Sequence, residues 1–284
     1  MEMHTLNVRE REALLEIADA IAPTWESRRA EIEKFAGPVR EWMVRELQPR
    51  AGDTILELAA GVGDTGFEAA RHIGEGGRLI TSDFSLGMLD AARRRGDELG
   101  LTNVDYRLID AERIELEDES VDGVVCRFGY MLMPDPATAF VEARRVLRPG
   151  GRLSLAVWGA MEQNPFFSIV GISLVQRSHI PPPEPPPAPG LFSLARAERV
   201  EGLLRDAGFA EVRTEQVAGR FVFADVGEYV GLIADTAGPV ALVLQTLDPD
   251  ERAALEADVA ASLQRFTSDG VYKLPSVALC AVAS

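Results

Sequence analysis

The residues best suited to chemistry sit in one short run, Ile55-Leu56-Glu57-Leu58-Ala59-Ala60-Gly61-Val62-Gly63-Asp64-Thr65-Gly66. It places a G-x-G-x-x-G directly after an apolar stretch and at the opening of a helical pattern. Glycines suit that turn because a side chain would hold a ligand away from the backbone and from the helix N-terminus. Twenty residues beyond Gly63 lies Asp83, near the end of the next apolar run. A carboxylate there can accept both hydroxyls of a ribose. The pair predicts a nucleoside site, and by itself it does not separate a dinucleotide from adenosylmethionine.

Three details favour adenosylmethionine. Glu57 puts an acid in the strand end ahead of the glycines, where a pyrophosphate would be repelled and a sulfonium or ammonium attracted. Asp83-Phe84-Ser85 leads into Met88-Leu89, so an apolar side chain stands beside the ribose acid and can pack on a purine. Asp110-Ala111-Glu112 follows a third apolar run and offers a carboxylate to an adenine amine. No arginine follows Asp83 immediately, so a 2′-phosphate is not expected.

The elements that must position these residues follow from periodicity. Apolar runs at Thr54–Leu58, Arg78–Ser82, Val104–Ile109, Gly123–Cys126 and Arg152–Val157 alternate with helical patterns at 64–73, 86–99 and 135–147. Such alternation predicts an α/β, mostly parallel, doubly wound sheet with helices on both faces. Ahead of it, 8–22 and 28–48 read as two helices, with Trp25 at the break between them as part of a lid over the cofactor. Later, Asn164–Ser178 and Leu194–Ala207 read as helix, Glu211–Val217 and Phe221–Ala224 as strand, 226–266 as helical and Tyr272–Val282 as a last strand. The proline run Pro181 to Gly190 predicts an extended, polyproline-like connector.

At these motifs the chain resembles the class I adenosylmethionine-dependent methyltransferases of the ubiquinone/menaquinone-biosynthesis type. The resemblance is carried by ILELAAGVGDTG (55–66), TSDFSLGMLDAAR (81–93), DAERIELEDESVDGVVCRFGYMLMPDP (110–136) and RRVLRPGGRLSLAVWG (144–159), with FSLARAERVEGLLRDAGFAEV (192–212) beyond them. It implies a Rossmann-like, seven-stranded sheet whose final strand is antiparallel. It also implies that Glu57, Ala59, Gly61 and Gly63 hold the methionine part of S-adenosyl-L-methionine and that Asp83 binds ribose. Phe84 and Met88 would flank the adenine, Asp110 and Ala111 would reach its edge, and Arg127 and Phe128 would lie under the cofactor. One departure stands out. Many relatives carry Asn-x-x or a His pair after the fourth strand, where this chain has Arg127-Phe128-Gly129-Tyr130, so its acceptor pocket is expected to be its own.

Methyl transfer from a sulfonium asks mainly for in-line positioning and exclusion of water. Candidate acceptor-side residues are therefore few: His179 ahead of the proline run and Tyr130 after the fourth strand, with His4 and His72 poorer placed. The expected organisation is an N-terminal helical lid (1–50), a cofactor-binding core (51–158), a cap insertion (159–200), and a C-terminal part of the core (201–284) with a helical insertion at 226–266. Phe, Leu, Ile and Val in the caps predict a small, partly apolar acceptor. The rivals are a nicotinamide-dependent oxidoreductase and a methyltransferase-like protein that keeps the cofactor without transferring methyl.

Composition bounds the remainder. A formal net charge of -16 over 284 residues argues against nucleic acid as a partner. Cys126 and Cys280 are the two cysteines, too few and too far apart for a zinc or disulfide framework, and no metal site is expected. The N-terminus has no signal-peptide core and no apolar run reaches a membrane span, so a cytoplasmic monomer or homodimer is expected.

Overall fold

The computed structural model of the chain describes residues 2–182 and 189–284. A long helix, α1 (Glu2–Leu47), precedes five strands: β1 (Thr54–Glu57), β2 (Arg78–Asp83), β3 (Val104–Leu108), β4 (Val121–Arg127) and β5 (Leu147–Trp158). These pair in parallel, with α2 (Asp64–Ile73), α3 (Leu86–Glu98) and α4 (Pro136–Val146) as crossovers. β1 and β2 are buried almost throughout, which is what near-continuous apolar runs require when helices cover both faces. Local chemistry sets the helix starts. Ser85 accepts the Met88 N–H at the head of α3, and Asp135 accepts the Thr138 N–H with Pro136 in the first turn of α4.

The second half adds α5 (Pro165–Gln176), α6 (Ala197–Asp206), β6 (Val212–Phe223), α7 (Val226–Thr236), α8 (Pro239–Thr246), α9 (Pro249–Leu263), β7 (Thr267–Ser268) and β8 (Val271–Ala283). The strand order is β3-β2-β1-β4-β5-β8-β6, with β8 antiparallel to both neighbours. The expected α/β sheet with one antiparallel strand is therefore present. The short β7 forms a hairpin on β8 through Asp269 and Gly270, both at positive φ as a tight hairpin turn needs. One core lies on each face. Val39, Trp42, Met43 and Leu47 of α1 pack with Phe67 and Ile73 of α2 on one side. Phe140, Val146, Val170 and Leu204 fill the other.

The elements depart from the sequence expectation in three places. The two N-terminal helices are one, running through Pro23 and Pro38. A proline inside a helix costs about 3 kcal/mol, and here neighbours anchor the chain around Pro23. The Thr24 hydroxyl donates to Ile21 O at 2.8 Å, Trp25 Nε1 to Thr236 O at 3.0 Å and Arg28 Nε to Asp235 Oδ2 at 2.8 Å. Trp25 thus sits within a continuous helix, not at a break. The two expected strands at 211–224 are also one, because Gly219 lets β6 lie against Ser276 of β8, where a Cβ would come within 2.8 Å of Ser276 Oγ. Third, 226–266 divides into three α-helices, each with proline or aspartate at its start, and a closing 3-10 turn at Gln264–Phe266. Of the proline-run connector, 183–188 fall outside the described residues.

Candidate functional site

The turn after β1 is built on backbone that only small residues tolerate well. Ala59, Gly61 and Gly63 all have positive φ, at 49°, 54° and 87°. A Cβ on Gly63 would lie 2.4 Å from the Phe67 ring, and one on Gly66 would lie 2.2 Å from Glu57 Oε2. The turn is tied to the next strand: Gly61 N donates to Asp83 Oδ2 at 2.9 Å and Ala60 N to Ser82 O at 2.9 Å. Asp83 is buried and accepts a second backbone bond from Ser85 N at 3.0 Å. The carboxylate keeps acceptor capacity for a ligand hydroxyl. Burial raises its pKa, against the three backbone donors that lower it.

Glu57 is equally enclosed. Its Oε1 accepts the Gly66 N–H at 2.6 Å and its Oε2 meets the Thr81 hydroxyl at 3.2 Å. Burial pushes its carboxyl up to about 8. At neutral pH the group is therefore mostly protonated in the ligand-free protein. The expectation that it repels a pyrophosphate as a fixed anion does not hold in that form. A cation placed beside it would draw it back to the charged state.

Next to Glu57 lies a set of charges that sequence spacing does not reveal. Asp64, at the head of α2, feels both Arg127 from the end of β4 and Glu33 from α1. Arg29 Nη1 donates to Asp64 Oδ1 at 2.9 Å, and Arg127 Nη2 stands 2.7 Å from Glu33 Oε1. Arg127 Nη1, Asp64 Oδ2 and the Thr65 hydroxyl are buried without a hydrogen-bond partner among the described residues. Groups of that kind at one place mark a site completed by a ligand with both donors and acceptors.

The residues expected at the adenine are arranged as follows. Met88 is buried and Phe84 is 37% exposed, so the two can flank a purine on different terms. Ala111 is buried. The Asp110 carboxylate accepts the Glu112 N–H at 2.9 Å and also pairs with Arg11 of α1, which bridges to Glu112. Asp19 of α1 accepts from the Ser85 hydroxyl and from Gly87 N. α1 therefore touches the residues around Asp83 and Asp110 as well as Asp64.

Beyond β4 and β5 the site becomes aromatic. Phe128 takes a φ of 61°, rare for a bulky residue, and its ring stacks on Trp158 at 4.0 Å. Trp158 packs on Phe167 at 4.7 Å, Phe167 reaches Phe192 at 6.5 Å, and Phe35 of α1 meets Phe221 at 4.0 Å. Phe35, Phe128, Phe167 and Phe192 are only half-buried. Tyr130 does not join them. It is fully buried against Phe140, its hydroxyl is unpartnered and its pKa lies well above the usual phenol value, because the 3-10 turn Tyr130–Leu132 swings it under α4. His179 follows the last turn of α5, about 18 Å of helix from the end that meets these rings. His72 lies exposed on α2 beside Glu68.

Among the described residues no cluster of His, Cys, Asp and Glu has the arrangement of a metal site, and no single helix is long and apolar enough to cross a membrane. The residues missed in the sequence are those of α1. Arg11, Asp19, Arg29 and Glu33 fall on a charged helix that reads as solvated surface until its partners are known.

Residues 38–167 match the ubiE/COQ5 methyltransferase family. A demethylmenaquinone methyltransferase of Clavibacter sepedonicus is 35% identical over 137 residues, which is 48% of this chain and 49% of that protein. The chain spans less than half the length of the curated relatives it matches. Among solved structures, phosphoethanolamine N-methyltransferase 2 of Haemonchus contortus superposes with a TM-score of 0.57 at 18% identity, over 93% of this chain and 57% of that one. The 4+2 cyclase SpnF superposes with a TM-score of 0.54 at 20% identity, over 87% of this chain and 79% of that one. Across residues 38–167, then, the chain is similar to the ubiE/COQ5 methyltransferase family.

Proposed function

We propose that this protein transfers a methyl group from S-adenosyl-L-methionine to a small, at least partly apolar acceptor. The observation that carries the reading is the glycine turn with Asp83 on one side and the unpartnered Arg127 Nη1, Asp64 Oδ2 and Thr65 Oγ1 on the other. These groups suit the cofactor's two ends. Asp83 would accept the ribose hydroxyls, Phe84 and Met88 would flank the adenine, and Asp110 and Ala111 would meet its edge. Arg127 would face the carboxylate, with Asp64 and Thr65 toward the ammonium. Glu57 shapes the turn through Gly66 and gives the cation side a carboxyl that can ionise. A nicotinamide dinucleotide lacks a zwitterion to satisfy the second set, which is why the oxidoreductase reading is the weaker one.

When bound, S-adenosyl-L-methionine would supply an electrophilic methyl on a sulfonium, with S-adenosylhomocysteine as the leaving group. The chain's part is to orient and to exclude water. Phe128, Trp158, Phe167 and Phe35 offer an apolar wall for the acceptor beside the strand ends. With Tyr130 turned into the core, the wall's named groups supply no base, so an acceptor that needs none fits best. The two free, buried cysteines suit a reducing compartment, and we place the protein in the cytoplasm.

Calorimetric titration with S-adenosylhomocysteine and with NADH tests the site, and release of S-adenosylhomocysteine with a panel of apolar acceptors tests turnover. Binding of NADH in preference to S-adenosylhomocysteine would overturn the proposal. Tight cofactor binding with no methyl transfer to any acceptor would favour the cofactor-keeping alternative.

A further inference from the structure

On α1, Arg29 and Glu33 stand one helical turn apart and so share a face. That face is turned to Asp64 and Arg127: the Arg29 guanidinium bonds Asp64, and the Glu33 carboxylate sits against Arg127. A cation and an anion held side by side are what an α-amino acid presents. The match is incomplete in a telling way. Each of the two receiving groups keeps a second atom, Asp64 Oδ2 and Arg127 Nη1, buried with no hydrogen bond, although their partners are only 26% and 12% exposed. The Glu33–Arg127 contact is close but is not aligned as a hydrogen bond, and Glu33 divides its charge with Arg40.

We infer that α1 is a built-in competitor for the amino-acid end of the cofactor, with Arg29 and Glu33 standing in for its ammonium and carboxylate. This rests on the reading of the site as an adenosylmethionine pocket. The entering zwitterion takes Asp64 and Arg127 from the helix and satisfies the atoms that α1 leaves bare. The middle of α1 then lifts, while its C-terminal half stays anchored by Val39, Trp42, Met43 and Leu47 in the core. Cofactor entry and lid opening thus become one exchange of ion pairs, and the pocket is guarded when empty.

The test compares S-adenosylhomocysteine with 5′-methylthioadenosine, which has the same nucleoside and no amino-acid end. In the double variant Arg29→Gln, Glu33→Gln, the Kd for S-adenosylhomocysteine should fall about tenfold, the size of one or two partly exposed ion pairs. The Kd for 5′-methylthioadenosine should stay as in the wild type. In the wild-type protein, S-adenosylhomocysteine should speed trypsin cleavage after Arg28 and Arg29. Other contacts of α1, from Glu26 to Arg94 and from Arg28 to Asp235, are untouched, so the variant should melt within a few degrees of wild type. Weaker or unchanged binding of S-adenosylhomocysteine in the variant would overturn the competitor and make the two residues a clamp over the bound cofactor. Equal tightening of both ligands would reduce the effect to a general loosening of α1, and it too overturns the inference. Failure of both ligands to bind either protein would remove the cofactor reading itself.

Discussion

Asp83 holds the glycine turn with one carboxylate oxygen and the head of α3 with the other, and we propose that it binds the ribose. Replacing it with Asn keeps the size and one acceptor but loses the charge. Asp83→Asn should weaken S-adenosylhomocysteine binding by about ten- to a hundredfold, the loss of one or two charge-assisted hydrogen bonds, as read by calorimetry. Glu57 offers a pH signature. Its folded pKa, pushed up to about 8, lies above the ordinary 4.5, so the folded state binds a proton that the unfolded state has already released. The stabilisation this confers is complete below pH 4.5 and is lost as pH rises through 8. Urea midpoints of the ligand-free protein should fall across that window, and in Glu57→Gln the fall should be visibly flatter. An equal slope in the two proteins would place the proton elsewhere.

At the level of elements, two junctions decide how the site is held. The head of α2 needs a residue without a side chain, since Gly63 has a φ of 87° and the Phe67 ring fills the space beside it. Gly63→Ala should cost about 1–3 kcal/mol, measurable as a lower urea midpoint, and should weaken cofactor binding as the turn shifts. Helix α1 is held at its middle by the Trp25 indole, which donates to Thr236 O at the end of α7. Trp25→Phe should remove one net hydrogen bond, about 1 kcal/mol. Amides near residue 25 should then exchange faster with deuterium, while those of β1 and β4 keep their protection. Uniform change across the sheet would mean that α1 and the core open together.

Across the whole molecule, aromatic rings join parts that are distant in sequence. Phe221 of β6 lies flat on Phe166 of α5 at 3.7 Å and touches Phe35 of α1, and it is itself buried. One side chain thereby ties the lid, the second half and the edge of the sheet. Phe221→Ala should cost about 3–5 kcal/mol in urea unfolding and should also loosen the lid. A loss confined to stability, with deuterium exchange in α1 unchanged, would show that Phe35 finds another seat.

What the residues determined locally could be read without a structure. The glycine turn, the acid after β2 and the alternation of apolar runs with helices are each short-range patterns, and the similarity to the ubiE/COQ5 methyltransferase family falls on them at 38–167. Asp83, Gly61 and Gly63 were legible for that reason: backbone strain and a single carboxylate demand particular residue types at fixed spacing. The tertiary structure alone decided three matters. It fused the N-terminal helices, because donors from Trp25 and Arg28 to α7 offset the proline that breaks the local pattern. It turned Tyr130 inward and left Phe128 facing the strand ends, a choice made by the backbone at Phe128 that no periodicity records. It also brought Arg29 and Glu33 onto Asp64 and Arg127, because charges on a helix face take their meaning from whatever the fold sets against them.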